Sequence, residues 1–417
     1  MHRKFTLKNG VRVVYERIPY VRSVSAGIWV RTGSRNENSK NNGISHFVEH
    51  MLFKGTRERS AAQIAECIDN IGGQLNAFTG KECTCFYART LDEHIEIALD
   101  LLSDMFFNSV FDKKDIALEK RVILEEISMY EDSPEELVHD LLSETVWGGS
   151  SIGKPILGTK SSLRNINRQM IAEYMDERYN QPNTVIAVAG NFDESRLEAL
   201  LEKYFGAWAP KNGKAQEFQH VEFRPEKGIK EKDTEQVHIC LGFDGIKYGD
   251  DDIYPLLAVN NILGGGMSSR LYQKIREEKG LVYAIYSYPT TYTDTGLFTI
   301  YAGMKPENLK EVIKLIETEI GSIRKKGITQ AELERVREQM KGNYILGLES
   351  TSSRMNSIGK SELLRGYIYT QDEILEKISS ITMDDIDRII RRIFDTDRKG
   401  VSIVGNIKTS HFQDIFG

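Results

Sequence analysis

The 417-residue chain repeats itself. Ala187-Val-Ala-Gly-Asn-Phe192 and Ser402-Ile-Val-Gly-Asn-Ile407 share one pattern, 215 residues apart. Phe111 and Ile116 open a charged helical stretch, and Ile328 and Leu333 open another 217 residues later. Each match is short, but two nearly equal offsets favour a duplicated unit. In each half a helical pattern then leads into an apolar terminal strand. The repeat predicts an α+β fold of two similar domains, each a mostly antiparallel sheet with helices packed on one face. Composition divides the chain into 1–215, a linker at 216–235 rich in charge, Pro and Gly, and 236–417.

Local signals fill in each half. Asn9-Gly10 marks a hairpin turn, and Ser60-Ala-Ala-Gln63 is a capping box that opens a helix. A helix starting near Asp112 and ending before Ser133-Pro134 carries Glu119, Glu125 and Glu126. Glu119 and Glu126 lie two turns apart and share a face. In the second half, helical patterns cover 253–263, 269–278, 307–326 and 329–346, with Gly264-Gly-Gly266 after the first.

The halves differ at one place. His46, Glu49 and His50 fall at i, i+3 and i+4, so on a helix they project from one face. Two imidazoles one turn apart can ligate one zinc ion, and a carboxylate beside them can deprotonate water. This is the H-x-x-E-H order. Phe47, Met51 and Phe53 make the helix half-buried, and buried ionisable groups need a partner. A catalytic zinc takes three protein ligands, and the third is expected from the row of carboxylates at 119–126. Helical phase alone leaves Glu125 and Glu126 both open. The second half has no such histidine pair.

Composition narrows the partners. A net charge of −6 on a chain of this length argues against a nucleic-acid surface. Four cysteines are too few for a disulfide scaffold, and Cys83 and Cys85 read as strand residues. No apolar run is long enough to span a membrane, and the N-terminus lacks an apolar signal core. The expectation is a cytoplasmic protein with neither membrane nor nucleic-acid partner.

His46-Phe-Val-Glu-His-Met-Leu-Phe-Lys-Gly-Thr56 resembles the zinc helix of the pitrilysin family of inverzincin metallopeptidases, and most resembles its small bacterial members. The resemblance extends over nearly the whole chain. It implies one Zn2+ per chain, with Glu126 as third ligand, 76 residues beyond His50, and Glu119 as a supporting carboxylate. It implies that Leu75-Asn76-Ala77-Phe78-Thr79 is the edge strand on which extended peptide binds. Arg276 and Tyr283 match the family's arginine–tyrosine pair, and Gly264 to Tyr272 resembles a shortened form of its glycine-rich loop.

The activity so implied is zinc-dependent endopeptidase cleavage of extended, unfolded peptides in a clamshell chamber. Glu49 is the base, and Tyr283 with Arg276 stabilises the oxyanion. In larger relatives that pair faces the zinc from the other half of the clamshell, so a chain of this length is expected to work as a homodimer. The rival readings are a non-catalytic peptide-binding scaffold and a structural zinc site. Non-catalytic relatives lose the zinc residues, which are intact here, and a structural site needs four protein ligands.

Overall fold

The structure is a computed structural model that describes residues 2–209, 218, 220–395 and 398–407. In chain order it begins with β1 (Arg3–Thr6), β2 (Arg12–Arg17), β3 (Ser23–Val30), α1 (Ile44–Leu52), α2 (Ala61–Asp69), β4 (Gln74–Thr79) and β5 (Thr84–Leu91). Then come α3 (Ile95–Asn108), α4 (Lys113–Asp132), α5 (Pro134–Val146), α6 (Lys160–Asn165), α7 (Arg168–Arg178), β6 (Thr184–Gly190) and α8 (Glu194–Phe205). The remainder is β7 (Lys227–Glu231), β8 (Val237–Asp244), α9 (Ile253–Leu263), β9 (Val282–Thr291), β10 (Gly296–Met304), α10 (Leu309–Lys326), α11 (Gln330–Gly347), α12 (Thr351–Arg365), α13 (Gln371–Ser379), α14 (Met383–Ile393) and β11 (Lys399–Gly405).

The duplication is visible in the sheets. The first runs β1-β2-β6-β3-β5-β4 and the second β7-β11-β8-β10-β9. Without β1 the two orders correspond strand for strand. In each, one parallel pair (β2 with β6, β7 with β11) joins an otherwise antiparallel sheet. This is the α+β fold that the repeat predicts.

Contacts divide the chain into two units, Met1–Ile127 with Pro155–Glu217 and Ile345–Gln371, and Ser128–Lys154 with Phe218–Tyr344 and Asp372–Gly417. A single cut in the sequence does not describe this division. α5 groups with the second sheet although it lies among first-half elements, and α12 groups with the first sheet although it lies among second-half elements. The segment read as a linker contains β7, whose parallel pairing with β11 makes it part of the second sheet. Residues 216, 217 and 219 of that segment lie outside the described residues, as do 210–215 and 408–417.

Each sheet has two buried faces because its side chains alternate. In the first unit Ile186 and Val188 of β6 face the main core with α1, α3 and α7, whereas Val185, Ala187 and Ala189 face Met355, Ile358 and Leu363 of α12. Arg354 at the start of α12 is buried against Glu16 of β2 at 2.8 Å. In the second unit Ile239 and Leu241 of β8 face α9, α10, α11 and α14, whereas Cys240 faces Val138, Leu142 and Val146 of α5. The single helix on the far face of each sheet completes the layering beyond the one-sided arrangement.

Among the described residues, no helix is long and apolar enough to cross a membrane.

Candidate metal centre

Gly43 starts α1 with a left-handed φ of +93°, which no L-residue adopts without strain. Ile44, Phe47, Val48, Met51 and Leu52 then bury one side of the helix in the first core. That burial turns His46, Glu49 and His50 to the opposite, half-buried side, as the spacing requires. α4 supplies the facing carboxylate. Ile116, Glu119, Ile123 and Ile127 form its buried stripe, Glu126 lies at the margin, and Glu125 is exposed. The phase ambiguity between the two glutamates is thereby removed in favour of Glu126.

Ligand atoms of His46, His50 and Glu126 all lie within 4.8 Å of one another. No other such group of three His, Cys, Asp or Glu occurs among the described residues. Glu126 Oε2 is 3.9 Å from His46 Nε2 and 3.7 Å from His50 Nε2. These separations are too long for hydrogen bonds. They suit atoms each about 2.0–2.2 Å from a common tetrahedral ion, which sit roughly 3.4 Å apart. Glu126 Oε2 is buried and has no hydrogen-bond donor. A carboxylate oxygen aimed at two imidazoles with nothing to neutralise it fits a divalent cation. Two His and one carboxylate with no fourth protein ligand is the donor set of a catalytic zinc site.

Electrostatics favour the ligating forms. Burial, and secondarily the neighbouring His50, push His46 down to about 3, so its imidazole is neutral at pH 7. Glu119 is 1% exposed, with Oε1 held by Lys54 Nζ at 2.8 Å and Oε2 at 3.7 Å from His50 Nδ1. It therefore stands behind His50, on the ring nitrogen opposite the one that faces Glu126. A carboxylate in that position orients a ligating imidazole. Lys54, one turn after His50, fixes Glu119. The sequence carried that i+4 signal, but it was not read.

Glu49 lies outside the trio and beside it. Burial raises its carboxyl above the ordinary value, the Thr79 hydroxyl and His50 pull it back, and Glu126 pushes it further up. Thr79 donates its hydroxyl hydrogen to Glu49 Oε2. The last residue of β4 thus touches the helix of the metal centre.

β4 is the edge of the first sheet and pairs only with β5. The four residues of 76–79 divide between its faces. Ala77 packs on the α1 side with Leu75, whereas Phe78 lies across Trp29 and Tyr87 on the other. By alternation Thr79 shares the face of Ala77, and Asn76 that of Phe78.

Arg276 and Tyr283 belong to the second unit. Residues 269–278, expected to be an α-helix, contain instead a π-helical turn at Tyr272–Glu277, a form often found at functional sites. Arg276 Nη1 donates to the Tyr272 hydroxyl at 2.7 Å. Arg270 fastens the segment through two bonds to Glu332, at 2.8 and 2.9 Å. Burial opposes the charge on Glu332, but Arg270 and Thr329 hold its carboxyl down to about 2. Tyr283 is 75% exposed on the edge strand β9.

Residues 12–160 match the family described as "Insulinase (Peptidase family M16)", and 165–340 match "Peptidase M16 inactive domain". An uncharacterized zinc protease of Bacillus subtilis, YmxG, is 48% identical over 397 residues, covering 95% of this chain and 97% of its own. This chain belongs to peptidase family M16. Another M16 relative, an uncharacterized zinc protease of Streptomyces coelicolor, is 38% identical and covers 97% of this chain and 90% of its own. Among solved structures, a Helicobacter pylori protease has a TM-score of 0.90 at 22% identity, covering 97% of this chain and 99% of its own. A Pseudomonas fluorescens structure described as a peptidase M16 inactive domain has a TM-score of 0.91 at 20% identity and covers 98% of both chains. These two share the fold. All four residues His46, Glu49, His50 and Glu126 fall inside the first M16 match, and Arg276 and Tyr283 fall inside the second.

Proposed function

We propose that this M16 protein is a zinc-dependent endopeptidase that hydrolyses extended, unfolded peptides. The observation that carries the reading is the buried, unpartnered Glu126 Oε2 facing two imidazoles, with Glu49 beside them and not among the three donors. Naming of the relatives as zinc proteases supports it. When bound, one zinc ion per chain supplies Lewis-acid polarisation of the scissile carbonyl and acidification of water.

The residues of the chain do the rest. His46, His50 and Glu126 hold the ion, and Glu119 orients His50 with Lys54 behind it. Glu49 keeps Oε2 on Thr79, which leaves Oε1 to take the proton of the attacking water and pass it to the leaving amine. A carboxylate made more basic by burial suits that role. Substrate joins the free edge of β4 as an added strand, which demands an extended peptide, with Asn76, Ala77, Phe78 and Thr79 along it.

Tyr283 donates a hydrogen bond to the carbonyl oxygen as it gains charge, and Arg276 assists it. In this reading the working unit is a homodimer in which Arg276 and Tyr283 of one copy face the metal ligands of the other, enclosing the peptide in a clamshell chamber. Incubation of the protein with a mixed peptide library, followed by mass spectrometry with and without a chelator, tests the reading. Chelator-sensitive internal cleavage is expected. Binding of peptides with no cleavage by the zinc-loaded protein overturns it in favour of a scaffold.

A further inference from the structure

Glu37 has no part in the chemistry above, yet it is 4% exposed in the loop that enters α1. Its Oε2 accepts from the Gly43 backbone N–H at 2.6 Å and from the Asn42 side-chain amide at 2.9 Å. Its Oε1 accepts from the Ser45 backbone N–H at 2.8 Å. α1 has no side-chain cap at its own N-cap position, because that residue is Gly43. The first N–H groups of a helix lack intrahelical partners and form the positive end of its dipole. A buried carboxylate with an oxygen on each of two of them is a cap delivered from the preceding loop. Burial pushes the Glu37 carboxyl up to about 7, and the Ser45, Gly43 and Asn42 donors pull it back down.

The surroundings leave this segment little freedom. Arg35 N–H donates to the Lys81 carbonyl at 2.8 Å, and the Arg35 side chain pairs with buried Glu82 at 2.6 Å. The Asn42 amide also donates to the Pro155 carbonyl at 3.0 Å. A Cβ on Gly43 would come within 2.6 Å of the Leu157 carbonyl oxygen. The Ser45 hydroxyl lies 2.7 Å from that of Tyr174, which lies 2.8 Å from that of Thr32. Ser45, the residue before His46, is thus held by its backbone through Glu37 and by its side chain through Tyr174.

We propose that Glu37 is a positioning residue for the metal centre: its carboxylate fixes the first turn of α1 and so sets His46 against His50 and Glu126. The inference rests on the metal-centre reading. Glutamine cannot replace it, because both oxygens accept from backbone N–H groups and a side-chain NH2 would face one of them. Asp is one methylene too short to span Gly43 and Ser45 together.

The test is Co2+ binding to the full-length apo-protein, followed by visible absorption, with thermal unfolding of the same samples. Glu37→Gln is expected to weaken Co2+ roughly ten- to a hundredfold, the range for groups that orient metal ligands. Asn42→Ala, which removes one of three donors, should weaken it less. Phe205→Leu, in the core of the same unit but away from α1, should lower the unfolding temperature and leave Co2+ affinity unchanged. Wild-type affinity in Glu37→Gln overturns the proposal. If that variant does not fold, Asn42→Ala decides in its place, and unchanged affinity there overturns the proposal equally. Loss of Co2+ affinity in Phe205→Leu as large as in Glu37→Gln also overturns it, since affinity would then merely follow stability. A wild-type protein that takes up no Co2+ overturns the metal-centre reading and this inference with it.

Discussion

The two units have corresponding strand orders, and only one carries the metal ligands. Comparison of α1 with α9 shows what separates them. α1 buries one side and keeps His46, Glu49 and His50 on the other. α9, Ile-Tyr-Pro-Leu-Leu-Ala-Val-Asn-Asn-Ile-Leu, has no charged residue or histidine, and Pro255, Leu256, Ala258, Val259 and Asn260 are buried. Where the first unit has ionisable groups, the second has apolar packing and a neutral bond, from the Ser287 hydroxyl to Asn260 Oδ1 at 2.7 Å.

The edge strands differ in the same sense. The Ser287 N–H on β9 donates to the Gly264 carbonyl at 3.0 Å, so the glycine-rich turn covers that edge. On β4 the Ala77 N–H is met by the neighbouring Asn76 side chain at 2.8 Å, and no loop pairs with the outer edge among the described residues. Duplication preserved the topology, while one-sided exposure of a helix and one uncovered edge localise the chemistry.

The sharpest break in that symmetry is expected at Glu49. Glu49→Gln should retain metal and lose activity by about 10²–10⁴-fold, the span of a general base. His50→Ala should lose the metal itself. Metal content and cleavage of a quenched peptide measure the two separately. A Glu49→Gln protein with near wild-type turnover would remove the base from the mechanism.

The next effect concerns α4. Glu126→Gln should weaken metal binding by at least tenfold, and Glu125→Gln should leave it unchanged because Glu125 is exposed. Equal losses at both positions would mean that the burial phase of α4 does not choose the ligand.

Changes in the second unit should spare the metal. Arg276→Ala combined with Tyr283→Phe is expected to lower kcat by about 10²–10³-fold, as loss of an oxyanion donor does, with normal zinc content. Mixing this double variant with Glu49→Gln under subunit exchange should recover a substantial fraction of activity, because one site in a mixed dimer would then be whole. No recovery, with exchange confirmed independently, refutes sharing of the site between copies.

Much of this was legible in the sequence, for identifiable reasons. His46, Glu49 and His50 are four residues apart at most, so local helical geometry brings them together without knowledge of the fold. Glu126 lies far along the chain, and phase could not separate it from Glu125. Only the burial of Ile123 and Ile127 does so. The repeat predicted corresponding sheets because its strands are apolar and end in Gly-Asn. α12 escaped because its sequence, Thr-Ser-Ser-Arg-Met-Asn-Ser-Ile-Gly-Lys-Ser-Glu-Leu-Leu-Arg, is polar, and its burial comes from one stripe and from Arg354 meeting Glu16. The interleaved units escaped for a related reason. Neither α5 nor α12 states in its own periodicity which sheet it will cover. Glu37 gave no signal, since one acid in a polar loop is ordinary until the helix end it caps is seen.

The smallest predicted effect contrasts the histidines of the two units. His46 and His50 are held neutral by burial and, in the proposed function, by an ion. His139 on α5 has burial alone, with the nearby His238 as a second cause, and lies down to about 4. Its Nδ1 is 2.7 Å from the Tyr288 hydroxyl and its Nε2 is 3.2 Å from that of Tyr286. A histidine with a depressed folded pKa binds more protons when unfolded, over the interval from about 6.5 down to about 4. Stability therefore falls as pH falls through that window, and the loss levels off below it. For His139 the loss is at most about 3 kcal/mol, at 1.36 kcal/mol per pKa unit, and solvent reaching the ring reduces it. Thermal unfolding of the chain at pH 7 and pH 5 should show the second unit losing stability, and His139→Gln should flatten that dependence. Zinc should protect the first unit over the same range and do nothing for the second. Equal protection of both by zinc would mean that the units unfold as one, and the contrast between their histidines could not then be read from stability.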